Sequence, residues 1–123
     1  MDINQLTSKI IGAAIEVHKT IGPGLLEGIY EDCLCIELER RRIPFERQKG
    51  IDIEYKGVKL NNQYRLDLVV NNKVVVELKT VDELAPIHNA QVLTYLKLTG
   101  LKVGLLVNFN TAKLKDGIKR LVL

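Results

Sequence analysis

Two acids and a lysine stand inside the most apolar part of this chain. Tyr64-Arg65-Leu66-Asp67-Leu68-Val69-Val70 is followed by Lys73-Val74-Val75-Val76-Glu77-Leu78-Lys79. Apolar strands usually keep their charges at the ends. Strand alternation places Glu77 and Lys79 on one face, after the Val74-Val75-Val76 run. Asp67 lies on the strand before. Two converging carboxylates make a site for a hard divalent cation. A lysine beside them can orient or deprotonate a water held by that cation. The plainer reading is an ion pair of Lys79 with Asp67 or Glu77, and surface pairs of that kind contribute little.

A shared site carries a condition on parity. Asp67 and Glu77 face each other only if the hairpin pairs residues whose numbers sum to an even total. A two-residue turn at Asn71-Asn72 pairs Val70 with Lys73 and sends the two acids to opposite faces. The site therefore requires an odd-length loop or a bulge.

Other candidates sit on helical sequence. Glu27, Tyr30, Leu34 and Leu38 fall on one side of a helix. Glu27 is either an acid favoured by the helix dipole in the first turn or a third metal-binding carboxylate. His88, Gln91 and Tyr95 form a polar, uncharged stripe suited to hydrogen bonding with a phosphate or the lysine, or simply to solvent. Arg65 shares a face with Asp67, as a neutralising partner or a phosphate contact. Arg65, His88 and Tyr30 are the candidate nucleic-acid contacts. His18, near the end of the first helix, reads as a helix-end cation. There is no Gly-rich phosphate loop, since Gly22-Pro23-Gly24 lacks the spacing. The single serine, Ser8, and the two cysteines lie within helices, which argues against a Ser or Cys nucleophile.

The elements that must position these residues are readable. Ile10, Ile11, Ala14, Ile15 and Val17 mark a first helix over about residues 4–20. Gly22-Pro23-Gly24 stops it. A second helix runs from Leu25 to about Arg42, with Leu26, Ile29, Cys33, Leu34 and Leu38 as its apolar side. Alternating strand patterns follow from Ile51 to Lys79, with a turn at Lys56-Gly57. Pro86 opens a third helix that runs through Leu98 and is capped by Gly100. Val103 to Val107 reads as a buried strand, and Ile118 to Leu123 as a short edge strand. This order predicts an α/β fold with a mixed sheet.

The whole chain sets outer bounds. Its 123 residues fit one domain. No apolar run is long enough to span a bilayer. The first residues lack a signal-peptide pattern, so a cytoplasmic protein without membrane partners is expected. Cys33 and Cys35 point about 200° apart on a helix and read as reduced packing residues. The net charge of +3 is mild. However, Arg40, Arg41, Arg42, Arg47 and Lys49 cluster, as do Lys113, Lys115, Lys119 and Arg120. These are either solvated charges or a phosphate-contacting rim.

Together the motifs resemble a known family. Gly24-Leu25-Leu26-Glu27-Gly28-Ile29-Tyr30 matches the signature for which the GxxExxY proteins are named. Tyr64-Arg65-Leu66-Asp67, Glu77-Leu78-Lys79, Gln91 with Tyr95, Gly104 to Phe109 and Gly117 to Arg120 are similar to the rest of it. The likeness runs from about Ile11 to Arg120. That family is assigned to the PD-(D/E)XK nuclease superfamily. The resemblance implies one nuclease-like domain over residues 1–123, with a restriction-endonuclease-like mixed central β-sheet flanked by helices. It implies Mg²⁺ or Mn²⁺ bound by Asp67 and Glu77, with Lys79 positioning the attacking water. Glu27 would match the helical acid of RecB-like members, and Gln91 and Tyr95 their later helix motif. Asp67 has no preceding Pro, as is so in many members. The cysteine cluster of iron–sulfur members is missing, so no such cluster is implied.

The expected activity is divalent-metal-dependent hydrolysis of phosphodiester bonds in DNA or RNA. So short a chain leaves little room for a recognition domain, so base specificity would come from a homo-oligomer or a partner protein. The alternative is a non-catalytic module binding nucleic acid or a protein. The intact Asp67, Glu77 and Lys79 set argues against it.

Overall fold

The computed structural model describes residues 1–123, with side chains for all but Asn62 and Gln63. Two helices come first, α1 (Ile3–Ile21) and α2 (Glu27–Arg40). Strands β1 (Phe45–Tyr55), β2 (Val58–Val70) and β3 (Val74–Lys79) follow, then α3 (Pro86–Thr99), β4 (Val103–Asn108), a short 3₁₀ turn (Leu114–Gly117) and β5 (Ile118–Val122). The five strands form one sheet in the order β1-β2-β3-β4-β5. β3 and β4 are parallel and every other neighbouring pair is antiparallel. The expected α/β mixed sheet flanked by helices is therefore present.

The sheet separates two cores. Leu68, Val70, Val74, Val76, Leu78, Leu105 and Val107 pack against α1 and α2. Val69 and Val75, from the alternate positions, pack with Tyr95 and Leu96 of α3. Being covered on both faces explains why β3 is an unbroken run of apolar residues up to Glu77.

The turn between the two helices is held from inside. The Tyr30 hydroxyl donates to the Gly22 carbonyl at 2.6 Å and accepts from the Leu25 N–H at 3.1 Å. Its ring stacks on Phe109, with centroids 4.5 Å apart. Tyr30 is fully buried, which removes it from the candidate nucleic-acid contacts. A second tie joins α1 to the segment after β4, where buried His18 bonds through Nε2 to the Thr111 carbonyl at 2.7 Å. So His18 is a buried tie between elements rather than a solvated residue at the helix end.

The start of α2 departs from the expectation. Leu26 and Ile29 are 79% and 44% exposed: Leu26 belongs to the turn before α2, and Ile29 is not on the helix's inward side. The inward side of α2 is Tyr30, Glu31, Leu34, Cys35 and Leu38. Both cysteines are free thiols. No helix is long and apolar enough to cross a membrane among the described residues.

The β2–β3 hairpin meets the parity condition. Leu68 lies opposite Val76, Val69 opposite Val75 and Val70 opposite Val74, so the loop is Asn71-Asn72-Lys73. Asn71 and Asn72 are both left-handed, at φ 51° and 52°. Asparagine tolerates that region better than most residues. The odd loop keeps the partners of β2 and β3 on matching faces.

Gly117 is required sterically. A Cβ there would lie 2.4 Å from the Asn108 carbonyl oxygen, which is backbone and cannot rotate away. Gly117→Ala is expected to lower stability by about 2 kcal/mol or more. A fall in the urea midpoint at unchanged m-value would show it; an unchanged midpoint would contradict the packing described.

Candidate active site

The β2–β3 ladder runs from Val70–Val74 to Leu68–Val76, and beyond it side chains take over. The Asp67 N–H donates to Glu77 Oε1 at 3.1 Å. The Leu78 N–H donates to Asp67 Oδ2 at 2.9 Å. Each acid thus accepts a backbone donor from the other strand. This crossed arrangement brings Asp67 and Glu77 together just where the strands part.

Such a pair cannot hold two full charges at low cost. Glu77 is 6% exposed. Burial pushes its carboxyl up to about 8, and the neighbouring Asp67 charge adds to that. Asp67 is also raised, chiefly by burial, against the opposing bond from Leu78. Tyr95, buried on α3, is pushed up to about 12 by burial and then by Glu77. Its hydroxyl therefore stays protonated and able to donate beside the acids.

Lys79 ends β3, and its carbonyl accepts from the Phe109 N–H at 2.9 Å. Its charge acts on Glu27, Asp67 and Glu77 alike. It forms no ion pair within 4.0 Å among the described residues. The ion-pair reading of Lys79 is therefore not the arrangement found. Asn108, opposite Lys79 on β4, fixes the segment that follows β3. Its amide donates to the Val81 carbonyl at 2.8 Å and accepts from the Val81 N–H at 3.1 Å.

Glu27 sits on the exposed first turn of α2. Its carboxyl is raised by partial burial and then by Asp67. No three His, Cys, Asp or Glu side chains are gathered closely enough to hold one ion among the described residues. The expected convergence of Glu27 with Asp67 and Glu77 is thus not realised. The α2 acid that turns inward is Glu31, one turn further on and 8% exposed. Its carboxylate takes Arg47 Nε and Gln48 Nε2, both at 2.7 Å. Arg47 also binds Asp32.

The remaining candidates have definite places. Gln91 is half-buried, one turn before Tyr95, and both line a groove of about 400 Å³ with Tyr64, Ile53 and Ile87. The Tyr64 and Tyr95 rings lie 5.9 Å apart. Arg65 is exposed and donates to the Gln48 carbonyl at 3.1 Å, not to Asp67. His88 Nδ1 accepts from the Ala85 N–H at 2.9 Å, closing the first turn of α3. In the basic clusters, Arg41, Arg47 and Lys49 pair with acids, and Arg120 bonds Asn4.

Gln48, Glu31 and Asn108 escaped the sequence reading. Glu31 had one available signal, since it lies a turn after Glu27 on the same side of α2. Asn108 lay inside the Gly104–Phe109 motif without a role assigned to it, and Gln48 had no signal, because its partners are remote in sequence.

Residues 4–121 match a family model described as the PD-(D/E)XK nuclease superfamily. The chain belongs to that superfamily. Its mixed sheet and flanking helices agree with the restriction-endonuclease-like fold of PD-(D/E)XK proteins. Nucleases of this superfamily generally use divalent metals. No curated protein and no solved structure gives a match.

The raised Glu77 carboxyl sets a pH dependence. The native state holds this proton more tightly than the unfolded chain, whose carboxyl titrates near its ordinary 4.5. Stability should therefore fall as pH rises from about 5 through about 8 in EDTA. Glu77→Gln keeps an acceptor for the Asp67 N–H and removes the titrating proton. It should flatten that slope and raise stability at pH 8.5 by roughly 1–2 kcal/mol. Urea unfolding across this pH range measures both.

Proposed function

We propose that this chain is a divalent-metal-dependent nuclease that hydrolyses phosphodiester bonds of DNA or RNA. The carrying observation is the pairing of Asp67 with Glu77 at the parting of β2 and β3, with the Lys79 charge acting on both and in no ion pair among the described residues. The donor set fits a hard cation, being carboxylate oxygens without thiol or imidazole. The raised carboxyls fit as well, since a cation between them would relieve the repulsion that holds their protons.

Mg²⁺ or Mn²⁺, when bound, would neutralise charge on the scissile phosphate and lower the pKa of a water. Asp67 and Glu77 are the residues that would hold it, and Glu27 adds negative charge at the mouth. Lys79 would orient the attacking water. Tyr95 and Gln91 would donate to phosphate oxygens from the α3 side. Arg65 and unpaired basic residues would hold the nucleic-acid backbone without reading its sequence. The Gly24–Tyr30 run supports placing the chain with GxxExxY proteins inside the superfamily. A cytoplasmic location and a partner or second copy that supplies specificity complete the proposal.

The test is cleavage of single- and double-stranded DNA and RNA with Mg²⁺, Mn²⁺ or EDTA. Activity should need metal and fall by about 100-fold or more in Asp67→Ala, Glu77→Ala and Lys79→Ala. Glu27→Ala should lose less. Cleavage that survives in the first three variants would defeat the assignment. Salt-sensitive binding without any cleavage would leave a nuclease-fold binding module instead.

A further inference from the structure

Gln48 adopts a backbone conformation that glutamine does not favour. It lies within β1 at φ 51°. The β1–β2 ladder pairs Arg47 with Leu68 and Lys49 with Leu66, and skips the Gln48–Asp67 step between them. The register is the same on both sides, so no residue is inserted. Yet Leu66 packs in the α3 core and Leu68 in the α1–α2 core. The side-chain alternation of β2 is therefore interrupted at Asp67, opposite the left-handed Gln48.

The distortion has a defined result. Gln48 Nε2 reaches Glu31 Oε1 at 2.7 Å and Asp67 Oδ1 at 3.4 Å. Asp67 Oδ2 is already held by the Leu78 N–H. Gln48 thus addresses the other oxygen. Its own carbonyl is held by Arg65, and Glu31 is anchored by Arg47. A strained residue persists where its surroundings over-determine it, and such residues concentrate at functional sites.

We infer that Gln48 is a positioning residue for the Asp67 carboxylate, aimed by its left-handed backbone and anchored through Glu31. This role rests on the metal-dependent reading of the site. Residues that orient a metal's ligands commonly change metal affinity by tenfold or more when removed.

Two variants separate the amide from the strain. Gln48→Ala removes the amide and keeps the strained backbone, whereas Gln48→Gly removes both. Gln48→Gly should therefore melt a few degrees above Gln48→Ala. Mn²⁺ affinity, measured by calorimetry on the purified protein, should fall about tenfold in both variants alike. A merely structural role would make affinity follow melting temperature, with Gln48→Gly binding better than Gln48→Ala. Wild-type affinity in Gln48→Gly overturns the role of Gln48 and leaves the nuclease reading standing. A wild-type protein that binds no Mn²⁺ overturns both.

Discussion

Where β2 and β3 part, two carboxylates do the work of ladder rungs. Past Leu68 and Val76, the amides of Asp67 and Leu78 are received by the side chains of Glu77 and Asp67. A buried backbone donor must find an acceptor, and here that acceptor is a chemically useful group. The strands can therefore separate without orphaned amides. The same bonds fix both acids in orientation. The hairpin loop, the apolar β3 run and the two helical layers all serve to hold this junction in register.

Holding like charges together sets the second constraint. Burial and mutual repulsion push the pair towards protonation, while Lys79 and the Leu78 amide pull the other way. Glu31 adds a further negative charge near Asp67, and it is tied off by Arg47 and Gln48. The result is a carboxyl cluster whose protonation responds to any added positive charge. A purely structural network gains little from such poise, because well-packed apolar residues would serve stability as well or better.

Much of this was legible in the residues themselves. Asp67, Glu77 and Lys79 stood out because charge inside an apolar strand needs a reason. The α/β order was carried by the 3.6- and 2-residue periods and by Pro86 and Gly100. The loop length was not legible. Asn71-Asn72 suits a two-residue turn, and nothing in sequence marks Lys73 as a third loop residue. Tyr30 shares a helix side with Leu34 and Leu38, which fits its burial, but nothing in the sequence showed that its hydroxyl satisfies two backbone groups of the turn. Gln48 was invisible because its significance lies in a dihedral angle and in partners 17 and 19 residues away.

β1 is the terminal strand of the sheet, paired on one side only. Arg47 and Gln48 both lie on it, so the groups that restrain Glu31 and Asp67 hang from the sheet's outer margin. Margins open more readily than centres. Detaching this strand would leave β3, β4 and their valines in place while releasing Glu31 into the cluster as an unpaired acid. Local opening at the rim would thus act as an electrostatic event at the junction.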